Sequence, residues 1–233
     1  MIANLVKWFI RKYSDIIAVY EELSSGYIHW RVRPWDIIKL VRGKYIADLG
    51  SGHCVQGSSI VSEGRSVYTL CLDLSPSMLA KGKIRFKDLM LDFIASDALA
   101  IPLRSRSINA LLTIAALHHL DINELVRALS EIRRVVHSGG IILITTWSPW
   151  QSRFLVKLIA MYLMKVLDVR IHPREFLIPW RSKSRTILRY YVLYSLKELI
   201  NVVKKLGFKV ISSGYFRPYP KGSSNIYIIA LNP

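Results

Sequence analysis

Residues 45–54 read YIADLGSGHC, an apolar run that ends on Asp48 and then sets Gly50 and Gly52 one residue apart. A strand that runs into glycines predicts a βα turn. Glycine adopts the left-handed backbone a tight turn needs and lets a ligand approach the main chain closely. Where a third glycine often stands, two residues after Gly52, this chain has Cys54. A cysteine fits there if its backbone keeps an ordinary helical φ.

On either side of that turn, short apolar runs alternate with longer amphipathic ones, the pattern of βα units on a parallel sheet. Strands are predicted over 45–49, 67–73, 93–96, 110–115, 141–147, 208–215 and 226–231, and helices over 54–62, 76–87, 122–136 and 196–206. Asp121, with Glu124 three positions on, reads as a helix capping box. Between 149 and 195 the alternation gives way to a basic, aromatic stretch too long for a plain connection. The expected organisation is a single domain over 1–233. It comprises an N-terminal helical segment (1–44), a cofactor-binding core (45–148), an inserted basic cap (149–195) and a C-terminal helix with strands (196–233).

The chain has 233 residues, 52% of them hydrophobic, enough for a sizeable core. Lys and Arg number 33 against 16 Asp and Glu, a formal net charge of +17, which favours a polyanionic partner or an anionic membrane surface. The start, MIANLVKWFIRKYSDIIAVYEEL, has helical periodicity interrupted by charges and reads as an amphipathic helix rather than a signal peptide. The apolar stretch 154–169 is broken by Lys157 and Lys165 and falls short of the roughly 20 apolar residues that cross a bilayer. No transmembrane segment is expected, although contact with a membrane surface is compatible with this pattern. Cys54 and Cys71 are the only cysteines, too few for a disulfide scaffold and without metal-site spacing. A reducing, cytoplasmic setting without a structural metal is the simpler expectation; the alternative is a Cys54–Cys71 bridge, less surprising in a thermophile, to which abundant Lys, Arg and Ile with Gln56 and Gln151 as the only glutamines point.

The ends of the strands identify the cofactor class, because ligands of such sheets lie at the carboxyl ends of strands. The first strand ends at Asp48 and the glycine turn. The second ends at Asp73, 25 positions further, where a carboxylate suits two ribose hydroxyls, and the third at Asp97, suited to an exocyclic amine. Neither a GxGxxG dinucleotide turn nor a GxxxxGK[ST] phosphate loop is present. The pattern therefore favours a nucleoside without phosphates that carries an amino acid, namely S-adenosylmethionine.

The segments DLGSGHC, CLDLS, ASDAL and HSGGIILITTW together resemble the class I S-adenosylmethionine-dependent methyltransferases. IHWRVRPW (28–35), SDALAIPLRSRSINA (96–110), IAALHHL (114–120) and IPWRSKSRTILRYYVLYSLKEL (178–199) are similar to the tRNA methyltransferases that esterify the carboxymethyl group of the wobble uridine. The resemblance implies a Rossmann-like α/β fold, a seven-stranded, mostly parallel sheet with helices on both faces and an inserted cap. It assigns Asp48, Gly50, Gly52, Asp73, Asp97 and Ala98 to the cofactor, and Arg31, His118, His119, Arg189 and Tyr190 to the substrate. It also implies the tRNA anticodon loop as substrate and a small zinc-binding activator protein as the second subunit of a heterodimer. Three departures stand out: Asn109 replaces the acidic residue usual where the fourth strand begins, Ser138 replaces a proline, and Val192 replaces a histidine.

The chemistry agrees with that resemblance. A carboxylate is ionised at neutral pH, so its methylation needs alignment at about 3 Å rather than a general base. Arginines, histidines and a tyrosine would orient it. Each of these groups also has a plainer reading. The two histidines pack or cap a helix, Arg31 and Arg33 form a solvated or cation–π patch with the tryptophans around them, Tyr190 and Tyr191 fill core, and the run Arg181, Lys183, Arg185, Arg189 is a solvated face. Two other functions fit the same cofactor turn: methylation of a quinone or lipid precursor, and a degenerate methyltransferase that only binds RNA.

Overall fold

The structure, a computed structural model, describes residues 16–30, 32–168, 173–181, 186–219 and 223–233. In chain order its elements are α1 (Ile16–Trp30), a 3-10 turn (Asp36–Leu40), β1 (Tyr45–Leu49), α2 (Val55–Ser62), β2 (Tyr68–Asp73), α3 (Pro76–Arg85) and β3 (Leu91–Ala95). There follow β4 (Ile108–Ile114), a 3-10 turn (Leu117–His119), α4 (Ile122–Val135), β5 (Val136–Trp147), α5 (Ser152–Leu167), β6 (Glu175–Arg181), β7 (Thr186–Val192), α6 (Leu196–Lys205), β8 (Lys209–Phe216) and β9 (Asn225–Leu231).

Seven strands form one sheet in the order β3-β2-β1-β4-β5-β9-β8. Pairs from β3 through β5 are parallel, while β9 runs antiparallel to both neighbours. This is the expected Rossmann-like class I methyltransferase architecture. The chain leaves β3 at the edge and returns to the far side of β1 as β4, so a crevice opens at the carboxyl ends of β1 and β4.

Because successive strand residues face opposite ways, β1 and β4 feed two separate cores. Ala47, Leu49 and Leu111 pack with the inner face of α4 (Leu125, Ala128, Leu129, Ile132). Ile46, Ala110, Leu112 and Ile114 pack on the opposite side with Ile60 of α2 and with Trp35, Ile38 and Val41. Asp121 caps α4 by accepting from the Asn123 and Glu124 amides, and Glu124 accepts the Asp121 amide in return, completing the expected capping box.

Four features differ from the sequence reading. The 149–195 stretch holds regular structure: α5, and a separate hairpin of β6 and β7. Its period was obscured because β7 turns Ile187, Arg189 and Tyr191 inward, and an arginine at an inward position breaks the apolar alternation. The fifth strand begins at Val136, five residues early, because it carries Gly139 and Gly140 inside its extended run. Cys54 is left-handed, with φ 62°, not helical, so the position makes the demand a glycine would meet. Its sulfur is bonded to Cys71 of β2, the less expected of the two states that the sequence leaves open.

Candidate active site

The crevice is built by the turn after β1. Gly50 (φ 71°) and Gly52 (φ 56°) both adopt left-handed backbone, and the Gly50 and Ser51 amides donate to the Leu72 carbonyl of β2. A Cβ added to Gly50 would lie 2.3 Å from Ala116 Cβ, so only glycine lets the two strand ends approach. Ala115, at the end of β4, is itself left-handed (φ 56°) and is held by its amide donating to Thr145. Strained non-glycine backbone of this kind clusters at functional sites.

Asp73 ties the turn to the end of β2. Its Oδ2 accepts the Gly52 amide at 2.7 Å and its Oδ1 the Ser75 amide at 2.9 Å. Burial pushes its pKa up, the amides of Ser75, Gly52 and Leu74 oppose this, and the nearby Glu21 charge reinforces it. Asp48, 1% exposed, sits on the α2 side of the sheet, where its Oδ2 accepts the Gly57 amide at 3.0 Å. A Cβ at Gly57 would meet Cys54 Sγ at 2.7 Å and Asp48 Oδ2 at 3.4 Å, so helix and strand touch there only through a glycine. Asp97 is positioned by accepting the Leu99 amide at 2.9 Å.

All six residues assigned to the cofactor, Asp48, Gly50, Gly52, Asp73, Asp97 and Ala98, line one cavity. S-adenosylmethionine fits this donor set. Asp73 and Asp97 offer acceptors to the ribose and the adenine amine, and Leu74, Met78 and Ile114 supply apolar walls. Ser51 Oγ and Gln56 Nε2 are buried cavity-lining groups without a protein hydrogen-bond partner, as expected where a polar ligand completes the set.

Helix α1 closes one side of this cavity with Ile16 and Tyr20, a role the sequence reading did not give it. Its periodicity was visible, but nothing in the sequence names what an amphipathic helix covers. Glu21 of α1 grips the start of α3, accepting from Ser75 Oγ at 2.6 Å, from the Ser77 amide at 3.0 Å and from Ser77 Oγ. The other flank of α1, Val19 and Leu23, packs on Ile187 of β7.

The structure separates the residues assigned to the substrate. His119 lines the cofactor cavity. Its Nδ1 lies 2.7 Å from the Tyr190 carbonyl oxygen and must donate, so Nε2 accepts from the Tyr20 hydroxyl at 2.8 Å. Burial lowers its pKa to about 4, with the Arg189 charge adding to the shift and the Tyr190 carbonyl opposing it, so the ring is neutral at pH 7. His118 is 1% exposed, stacks on Tyr191 at 4.7 Å and lies tilted against Trp147 at 5.3 Å, forming a wall rather than a contact surface. The Tyr190 ring packs against the sheet core and lines neither the cofactor cavity nor the cavity that holds Arg189; burial raises its pKa, as does the charge of Glu175. Arg189 lies beyond the ring wall and lines a second cavity with Arg153. Arg31 lies outside the described residues. Within the basic 149–195 stretch, Arg174 is engaged by Glu198 and by the Tyr162 hydroxyl, a structural use.

No helix among the described residues is long and apolar enough to cross a membrane.

Residues 47–144 match a family described as a methyltransferase domain. The chain is 31% identical over 140 residues to the tRNA (carboxymethyluridine(34)-5-O)-methyltransferase of Mus musculus, an alignment covering 58% of this chain and 20% of that protein. It thus spans about a fifth of that relative's length. It is also 31% identical over 151 residues to the demethylmenaquinone methyltransferase of Renibacterium salmoninarum, covering 62% of this chain and 59% of that one. Among solved structures, an S-adenosylmethionine-dependent methyltransferase from Methanosarcina mazei superposes with a TM-score of 0.71 at 15% identity, covering 86% of this chain and 98% of its own. A methyltransferase from Haloferax volcanii, solved in complex with the Trm112 methyltransferase activator, superposes with a TM-score of 0.66 at 12% identity, covering 92% and 97%.

Proposed function

We propose that this chain is a class I S-adenosylmethionine-dependent methyltransferase, a reading that the match to a methyltransferase domain and the shared fold support, and that it methylates the carboxylate of 5-carboxymethyluridine at the wobble position of the tRNA anticodon, forming a methyl ester. S-adenosylmethionine supplies an electrophilic methyl group on a sulfonium sulfur. A carboxylate oxygen takes that methyl with its own electron pair, and the electrons of the broken carbon–sulfur bond stay on sulfur. No proton moves.

The observation that carries this reading is the state of His119. The imidazole at the cofactor cavity is neutral, and its Nε2 lone pair already accepts the Tyr20 hydroxyl. A quinol, phenol or protonated amine would need a base there; an ionised carboxylate does not. The +17 charge of the chain supports a nucleic-acid substrate, and the similarity to the mouse enzyme supports the wobble carboxymethyl group. A small zinc-binding activator and a cytoplasmic location belong to the same reading. The Haloferax complex supports the activator, as do Ile84 and Met90, 77% and 56% exposed, just before the edge strand β3.

One observation favours a second reading. Helix α5 exposes Leu155, Val156, Ile159, Leu163 and Val166, an apolar stripe suited to a membrane surface, and the Renibacterium relative is named for demethylmenaquinone. The deciding experiment is transfer of labelled methyl to a tRNA pool lacking the ester, with and without a Trm112-type activator, followed by nucleoside mass spectrometry. Alkali-labile label on a wobble uridine is the expected result. No label on tRNA, with label on a demethylquinone in anionic vesicles, overturns the proposal in favour of the second reading.

A further inference from the structure

The second cavity, about 440 Å³, lies across the His118–Tyr191–Trp147 stack from the cofactor cavity. That size is within the roughly 300–1,000 Å³ of small-molecule sites. Its chemistry is unusual for a protein interior. Arg189 is 3% exposed, yet among the described residues it has no carboxylate partner, and its Nε is buried without an acceptor. Aromatic faces hold it instead, with Trp180 at 4.7 Å, Tyr191 at 5.1 Å and Trp147 at 5.8 Å from the guanidinium. Arg153 lies over Trp147 at 4.2 Å and is fixed by donating from Nε to Gln151 Oε1 at 2.8 Å. Partial burial lowers the Arg153 pKa; the nearby Tyr191 opposes this, and the Arg189 charge adds to it.

Three arginines line this cavity, Arg189 buried and Arg153 and Arg33 exposed, and no carboxylate among the described residues lines it with them, an arrangement that suits an anion from outside. One buried polar group of the lining narrows which anion. Asn225, 3% exposed, donates to the Ser223 carbonyl, which leaves its buried Oδ1 without a donor. A ligand that satisfies this set carries an anionic group for the arginines, an N–H for Asn225 and a flat face for the tryptophans. A pyrimidine nucleotide has all three.

We propose that this cavity binds one nucleotide of the RNA, a neighbour of the one that receives the methyl group, with its phosphate on Arg189 and Arg153 and its base on the tryptophan walls. The inference rests on the tRNA reading for the identity of the polymer. It separates the substrate residues into two places: His119 beside the reacting nucleotide, and Arg189 gripping the next one.

The test is calorimetric titration of uridine 5′-monophosphate, uridine and inorganic phosphate into the protein saturated with S-adenosylhomocysteine. The nucleotide should bind at least tenfold more tightly than either uridine or phosphate alone. Arg189→Met should weaken it tenfold or more, Arg189→Lys by less, and both should hold S-adenosylhomocysteine within twofold of the wild type. Asn225→Leu should weaken uridine monophosphate without weakening phosphate, a readout that does not depend on the arginine variants folding. Absence of nucleotide binding in the wild type overturns the inference, as does equal affinity in Arg189→Met, or competition with S-adenosylhomocysteine. With tRNA, Arg189→Met should raise KM about tenfold and change kcat less than twofold. Nucleotide binding without methylation of any tRNA would sink the tRNA reading and leave the nucleotide site standing. Wobble methylation with unaltered nucleotide affinity in Arg189→Met would do the reverse.

Discussion

Gly50 and Ala116 stand at the ends of β1 and β4 so close that a Cβ on the first would lie 2.3 Å from the Cβ of the second. Gly50→Ala must therefore push these strand ends apart as well as hold a left-handed backbone at a cost of about 1–2 kcal/mol. We expect at least a hundredfold loss of S-adenosylmethionine affinity by calorimetry, with the far-UV dichroism of the fold retained. Affinity within threefold of the wild type would show that the turn has slack the structure does not.

Asp73 holds the Gly52 and Ser75 amides through separate oxygens. Hydrogen bonds to a charged group contribute about 1.5–3 kcal/mol each. Asp73→Ala should therefore abolish measurable cofactor binding. Asp73→Asn, which keeps one acceptor oxygen, should retain a weakened site.

His119 carries a pH dependence of known sign. Its pKa falls from 6.5 to about 4 on folding, so between those values the unfolded chain binds more protons than the folded one. The stability it contributes is complete above pH 6.5 and is lost as the pH falls towards 4, a change of about 3 kcal/mol at most. Urea melts of the wild type should show this slope and His119→Gln should flatten it. Parallel slopes in the two proteins would mean that the ring titrates normally.

The Cys54–Cys71 bond closes a 17-residue separation, for which chain entropy gives a stabilisation of about 3 kcal/mol. Reduction should lower the melting temperature and loosen cofactor binding, since Cys54 follows the turn directly. Cys54→Gly and Cys54→Ala both lose the bond, and the glycine variant should melt higher than the alanine one, because only glycine adopts φ 62° without strain.

Glu21 fastens α1 to the start of α3 through Ser75 and Ser77. Glu21→Ala should weaken cofactor affinity about tenfold and raise amide exchange across 16–24. Unchanged exchange there would mean that the apolar contact of Val19 and Leu23 with Ile187 suffices to seat the helix.

The strands and the acidic strand ends were legible because they are local. Each of β1, β2, β4 and β9 announces itself by apolar residues bounded by polar ones, and Asp48, Asp73 and Asp97 follow from where those runs stop. The capping box of α4 is local as well. What escaped depends on a partner distant in sequence. The left-handed Cys54 is tied to a sulfur on β2, and the cover over the cofactor comes from Tyr20, which meets His119 only in three dimensions. The resemblance assigns the neighbours Arg189 and Tyr190 to the substrate as one cluster. A strand has a period of two, so Arg189 and Tyr191 face one way and Tyr190 the other. Recognising β7 as a strand would have split that cluster from sequence alone.

The cofactor cavity is walled by five stretches of chain that contribute Tyr20, Gly50, Asp73, Asp97 and His119, so no continuous fragment contains it. A peptide carrying the glycine turn has the motif without the site. Binding is therefore a property of the assembled sheet with its first helix seated, and ligand affinity doubles as a gauge of whether the chain has finished folding.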